Sequence, residues 1–295
     1  MGDLTETSDS DSIQSGPTAL RLLVGAQLRR LRESRGITRE DAGYAIRGSH
    51  SKISRMESGR TSFKTRDVAD LLTLYGVTNE AQRASMLALV EQANAPSWWH
   101  DYRDVIPDWF EPYLGLEQDA VLIRTHEVQF VPGLLQTEDY ARAVIVQGHE
   151  RDSAERIERR VEVRMRRQQI LAPPKPRKLW AVMDEAALHR RVGSEAIMRA
   201  QLGHLTKLAQ QPHITLQVFP FSSGTAIGGV GPVTILRFTQ TELNDVVYLE
   251  HLTGAQFLTK ETDVHRYQHL MNELSVHALP PADTPALLRR IIESR

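Results

Sequence analysis

Residues 38–60, TREDAGYAIRGSHSKISRMESGR, hold two helical stretches too short to stand alone, pinched around a glycine-containing turn. Helices of this length survive only by packing on neighbours, so the segment demands a compact all-helical domain around it. The flanking sequence supplies one. Leu20, Leu23, Val24, Leu28 and Leu31 recur at helical spacing before Gly36 ends the first helix. Thr38 reads as an N-cap with Asp41 three residues on, opening a helix to Ile46. Arg47-Gly48 makes the turn, Ser49 caps a third helix to Ser58, and Gly59 stops it. Val68, Ala69, Leu71 and Leu72 continue the stripe to Gly76, and a fifth helix starting at Thr78 or Asn79 runs to about Ala93.

This is the layout of a helix-turn-helix, in which the second helix offers its N-terminal, outward side chains to base edges in a major groove. Ile53 and Met56 face inward on that helix, while His50, Ser51, Lys52 and Arg55 are expected to project outward. Arginine suits a bidentate grip on guanine, and Ser49, Ser54 and the helix N-terminus can hold phosphates. Charge agrees with that reading. Residues 1–18 carry a net −4 and residues 19–94 a net +5, inside a chain whose total is −1. A basic module in a near-neutral chain is the electrostatic footprint of an anion partner.

Residues 19–93 resemble the XRE-type (phage repressor-like) helix-turn-helix domain through LRRLRESRGIT at 28–38 and SKISRMESGR at 51–60. The resemblance implies base contacts from His50, Ser51 and Arg55, with Lys52 alongside. It implies phosphate contacts from Arg39, Ser58, Arg60 and Lys64, and a structural ion pair between Arg32 and Glu57. Two positions depart from the family pattern: Arg47 stands where the turn glycine is usual, and Arg39 where glutamine is usual. Further along, EPYLGLE at 111–117, RTHE at 124–127, VPGLLQTEDYARA at 131–143, LWAVMDEAAL at 179–188 and TLQVFPF at 215–221 resemble the large C-terminal domain of actinobacterial XRE regulators, often described as antitoxin-like. That resemblance implies an architecture and a small partner protein encoded nearby more than it implies an activity.

The rest of the chain divides as follows. Residues 1–18 are too polar to bury and read as a disordered acidic tail. Residues 19–94 form the helix-turn-helix domain, and 95–115 a packed linker holding Trp98, Trp99, Tyr102, Trp109, Phe110 and Tyr113. Residues 116–295 form a mixed α+β effector or partner-binding domain. Strands are expected at 121–130, 178–183, 213–219, 233–238, 246–250 and 255–259, with antiparallel pairing favoured over a doubly wound sheet. Helices are expected at 137–148, 153–171, 184–190, 194–211, 262–279 and 285–294.

Other constellations are weaker. Arg124 and His126 share one face of a strand and suit a small anionic ligand or partner carboxylate, or an internal ion pair with Asp184 or Glu185. Asp184, Glu185 and His189 fit an ordinary helix start and end as well as an acid–base pair. His265 and His269 lack a third ligand at metalloprotease-like spacing, and the glycine-rich run at 224–232 lacks the lysine of a phosphate loop, leaving it a connection between strands or a gate. The arginine-rich stretch 151–171 reads as an exposed helix laced by the pairs Asp152–Arg156, Glu155–Arg159 and Glu162–Arg166. No metal, cofactor or catalytic residue is expected. Zero cysteines, no 18-residue apolar run and an acidic N-terminus point to a soluble cytoplasmic chain without membrane partners. The expected function is a homodimeric transcriptional regulator that reads a double-stranded DNA operator and is modulated through its C-terminal domain by a partner protein or ligand. The alternative is an antitoxin-like protein whose main task is holding a small neighbouring-gene partner, with DNA binding for autoregulation.

Overall fold

The computed structural model describes residues 16–223, 231–239 and 243–295. The acidic segment at 1–15 and most of the glycine-rich run at 224–232 lie outside these residues. Pro17 and Thr18, read from sequence as the end of the tail, form the first turn of a helix. The chain divides into two compact units, residues 1–95 and 96–295.

The first unit consists of α1 (Pro17–Ser34), α2 (Arg39–Ala45), α3 (His50–Glu57), α4 (Thr65–Leu74) and α5 (Glu80–Ala93). Leu20, Val24 and Leu28 run down the inner face of α1 and meet Ala42, Ile46, Ile53, Met56, Leu71 and Val90 in one core. Each of the first four helices ends in the same way. The residue two beyond the helix takes a left-handed backbone, and two N–H groups fold back on the last-turn carbonyls. Gly36, Gly59 and Gly76 fill that position after α1, α3 and α4; after α2 it is Arg47, at φ 52°.

The second unit is built on a six-stranded sheet with order β3-β2-β1-β4-β5-β6. Its strands are β1 (Leu122–Glu127), β2 (Lys178–Asp184), β3 (Ile214–Phe219), β4 (Val233–Arg237), β5 (Val246–His251) and β6 (Gly254–Leu258). All six fall where the sequence places strands, but two of the five pairings are parallel, and β1 joins β4 antiparallel. β4, β5 and β6 form the expected antiparallel meander, whereas β1, β2 and β3 run parallel. The reason is the helical connections. Between β1 and β2 lie α7 (Glu138–Gly148) and α8 (Ala154–Arg167); between β2 and β3 lie α9 (Glu185–His189) and α10 (Glu195–Leu208). Crossovers of this length carry the chain back to the end where the previous strand began, so the next strand runs parallel. After β6 come α11 (Glu261–His277) and α12 (Thr284–Glu293).

The aromatic segment after residue 95 belongs to this unit. Trp99, Val105 and Ile106 are buried with Leu114 and Val163, and Trp98 donates from Nε1 to Gln118 Oε1 at 3.0 Å. Leu114 lies on α6 (Glu111–Asp119), a helix the sequence reading missed because Pro112 and Gly115 interrupt its propensity. The arginines of α8 reach this segment rather than pairing along their own helix. Arg156 keeps its pair with Asp152 at 3.5 Å, but Arg159 goes to Asp104 at 2.7 Å and Arg166 lies over the Trp98 ring at 4.8 Å. The expected Glu155–Arg159 pair is thus replaced, because a bonded arginine over an aromatic wall excludes more water than an exposed pair along a helix.

Candidate nucleic-acid interface

The helix-turn-helix is closed from both sides of its turn. Thr38 Oγ1 accepts from the Asp41 N–H at 3.1 Å to start α2, and Ser49 Oγ accepts from the Lys52 N–H at 3.2 Å to start α3. Between them Gly48 N donates to Gly43 O at 2.8 Å and Arg47 N to Tyr44 O at 3.0 Å. Gly43 is where the two helices touch. A Cβ there would lie 3.0 Å from Gly48 O and 3.1 Å from the Ser49 carbonyl carbon, so any side chain would push the turn open.

An ionic cluster ties α3 to α1 and α2. Arg32 donates from Nε to Glu57 Oε1 at 2.5 Å and from Nη2 to Oε2 at 3.1 Å, while its Nη1 binds the Ile37 carbonyl at 2.8 Å. Arg39 adds a bond from Nε to Glu57 Oε2 at 2.9 Å. The bonded Glu57 carboxylate holds the Arg32 guanidinium above its ordinary value despite burial.

These contacts leave a definite outer face. His50, Ser51 and Arg55 are exposed on α3, and Ser49, Ser58, Arg60 and Lys64 are exposed at and beyond its ends; Ser54 is half-buried. His50 Nε2 stands 3.9 Å from Glu40 Oε1, the one acid of α2 near the row. Lys52, expected to project outward, and Arg39, expected at a phosphate, are engaged elsewhere. Lys52 Nζ reaches Asp67 Oδ2 at 2.5 Å, because Asp67 is nearly enclosed and needs a counter-charge. Arg39 is engaged by Glu57, for which the arrangement of two arginines around one buried acid was not legible in the spacing. The structure also adds two residues. Tyr44 is 88% exposed on α2 beside the turn, and Arg47 is exposed in the turn itself. Tyr44 breaks the inward Ala42–Ile46 pattern, a signal the sequence carries.

In the second unit the structure does not gather Arg124, His126, Asp184 and Glu185 into a pocket. Arg124 donates to Asn272 Oδ1 at 2.9 Å and lies 4.7 Å from the Trp180 ring centroid. His126 Nδ1 donates to Val182 O at 3.0 Å with Nε2 buried and unbonded, and burial lowers its pKa. Asp184 caps α9 by accepting from Ala186 N, and Glu185 accepts from Phe221 N and lies 3.3 Å from His189. Arg124 and His126 thus lie on the α11 side of the sheet, with Val182, Val233 and Val247 packing on Met271 and Leu274. The cavity lies behind the alternate residues of β1. Ile123, Thr125 and Glu127 line a space of about 610 Å³ together with Thr234, Tyr248 and the α8 arginines Arg164 and Arg167.

These two units match two known families. Residues 23–86 match a family described as helix-turn-helix domain, so the chain carries an N-terminal module of the kind found in DNA-binding regulatory proteins, followed by a mixed α/β domain. Residues 110–290 match the family described as domain of unknown function (DUF5753), and the chain belongs to that family. No curated protein and no solved structure matches the chain. Among the described residues no helix is long and apolar enough to cross a membrane.

Proposed function

We propose that the protein is a sequence-specific transcriptional regulator in which α3 lies in the DNA major groove. His50, Ser51 and Arg55 read base edges, Ser49, Ser54, Ser58, Arg60 and Lys64 hold phosphates, and Tyr44 and Arg47 flank the duplex from α2 and the turn. The observation that carries this reading is the exposed row His50–Ser51–Arg55 on a helix whose opposite side is fixed by Ile53, Met56 and the Arg32–Glu57 pair. A helix held rigidly from behind and exposed in front suits base readout.

One such row makes few base contacts, so the protein acts as a homodimer on a two-fold operator with half-sites about 34–36 Å apart or a multiple of that. The C-terminal domain modulates DNA binding in the cytoplasm, through a ligand or a small partner protein. The test is selection of bound sequences from random DNA followed by titration of variants. Arg55→Ala costs on the order of 1–3 kcal/mol and blurs one base position, while Arg60→Ala weakens all sequences alike. An unchanged base preference in Arg55→Ala overturns the readout assignment.

A further inference from the structure

The strongest unassigned feature is the cavity of the second unit. Its floor is the sheet face on which Thr125, Thr234 and Tyr248 stand in one row across β1, β4 and β5, with the two threonine hydroxyls 3.0 Å apart. Continuing that register by two residues places Glu127, Pro232 and Glu250 in the next row. The two acids therefore flank a proline on one face of the sheet, their backbones about 10 Å apart at the usual spacing of neighbouring strands. Pro232 offers no polar side chain between them, and all three residues line the cavity.

The charges around this gap do not balance. Arg167 has spent its guanidinium on Glu117, donating from Nε and Nη2 at 2.8 Å each. Arg164 donates from Nη1 to Gln136 Oε1 at 2.7 Å. Among the described residues neither arginine nor any other cation forms an ion pair with Glu127 or Glu250, and Glu250 has only the Tyr248 hydroxyl, at 2.9 Å. Glu250 lies at the exposed mouth of the cavity, where water can hold its charge, whereas the half-buried Glu127 carboxylate lacks the counter-charge that ionisation away from water requires. An aromatic cluster runs from the floor up one side. Tyr113 and Tyr248 have ring centroids 4.1 Å apart, Phe110 stacks on Tyr113 at 5.3 Å, and Phe130 completes the lining.

We propose that this cavity binds a small molecule carrying a protonated amine on an apolar, ring-bearing body, with the ammonium seated between Glu127 and Glu250 and the body against Tyr248 and Phe130. The volume lies within the roughly 300–1,000 Å³ of small-molecule sites. An anion is disfavoured, because Arg167 is already paired with Glu117 and Arg164 is engaged by Gln136. Ammonium beside tyrosine and phenylalanine faces gains a further attraction from the rings. Burial, then the nearby Glu250, pushes Glu127 up to about 8 against the pull of Arg164 and Arg167. Glu127 consequently holds a proton at neutral pH that an ammonium displaces, and affinity rises with pH until Glu127 is ionised without help. Charged or titratable groups around Glu127 are Glu250, Tyr248 and His251 on β5, Arg164 and Arg167 on α8, Glu117 and Tyr113 on α6, and Tyr140 on α7.

Calorimetry on the full chain tests this with tryptamine as the amine and indole-3-acetate as the anion of similar body. Tryptamine binds saturably with a Kd of about 1 mM or tighter, releases a proton at neutral pH, and binds more tightly above the Glu127 value. Glu127→Gln and Glu250→Gln each weaken it about tenfold or more. Glutamine matches the protonated acid in shape, so the first variant folds; the proton release of the unmodified chain is a second readout that needs no variant. Absence of saturable tryptamine binding overturns the proposal, as does binding of indole-3-acetate that Arg164→Gln removes. The ligand site stands on the cavity alone, while its role as the signal rests on the regulatory reading. A gel-shift titration on the selected DNA, with and without tryptamine, separates the two: no sequence-specific shift in the absence of tryptamine sinks the regulator and leaves the amine site intact, whereas a shift that tryptamine leaves unchanged sinks the amine's role as the signal.

Discussion

Arg32 and Glu57 meet from the last turns of α1 and α3, with side chains only 9% and 3% exposed. Their bond, 25 residues apart in sequence, fixes the far end of the helix proposed to read DNA. Glu57 also accepts from Arg39, so one carboxylate bridges two guanidiniums drawn from α1 and α2. Removing it strands the enclosed Arg32. Glu57→Gln is expected to lower unfolding stability by about 3–5 kcal/mol, the cost of breaking a buried pair from one side. Thermal or urea unfolding measures it, and an Arg32→Met, Glu57→Leu double variant recovers much of the loss.

Arg47 occupies a left-handed backbone position that its three counterparts fill with glycine. An L-side chain there carries a steric cost of about 1 kcal/mol. Arg47→Gly is therefore expected to raise stability by roughly 0.5–1 kcal/mol, less the entropy glycine adds to the unfolded chain. The same variant weakens operator binding if Arg47 meets a phosphate, so stability and affinity move in opposite directions.

Lys52 and Arg60 offer a sharp contrast. The Lys52 ammonium lies on Asp67, whose side chain is 12% exposed, while Arg60 projects freely. Lys52→Met is expected to cost about 1 kcal/mol of stability for a pair still partly open to water and to leave the salt dependence of DNA binding unchanged. Arg60→Ala leaves stability alone and reduces the salt slope by about one unit. Binding isotherms across a salt series distinguish them.

His126 predicts the acid limb of stability. Burial holds its folded pKa below the ordinary 6.5, and its Nδ1–H is committed to Val182 O. As pH falls through 6.5 the unfolded chain takes up a proton that the folded chain refuses, so stability is full above that value and declines below it. Urea midpoints measured from neutral to mildly acidic pH follow this slope, and His126→Gln flattens it.

The first unit was legible because its determinants are local. Thr38, Ser49 and Asn79 cap helices within three residues, Gly36, Gly59 and Gly76 end them, and Ile53 and Met56 turn inward by periodicity alone. The strands of the second unit were legible for the same reason. Side-chain direction along β1 was legible too, but which face holds the cavity was not. Alternation separates Arg124 and His126 from Thr125 and Glu127 without saying which set meets α11 and which meets α6 and α8.

What the sequence by itself determined is the kind and order of elements, since capping, turn geometry and hydrophobic period act over a few residues of chain. Only the tertiary structure decided where the charges go. Lys52 finds Asp67, Arg39 finds Glu57, Arg159 finds Asp104 and Arg167 finds Glu117, each across 15 to 55 residues. A long flexible side chain takes whichever partner burial makes most costly to leave alone, and that is a property of the packed core rather than of spacing along the chain. Glu127, by contrast, finds no cation partner among the described residues, and no motif announces the cavity it lines.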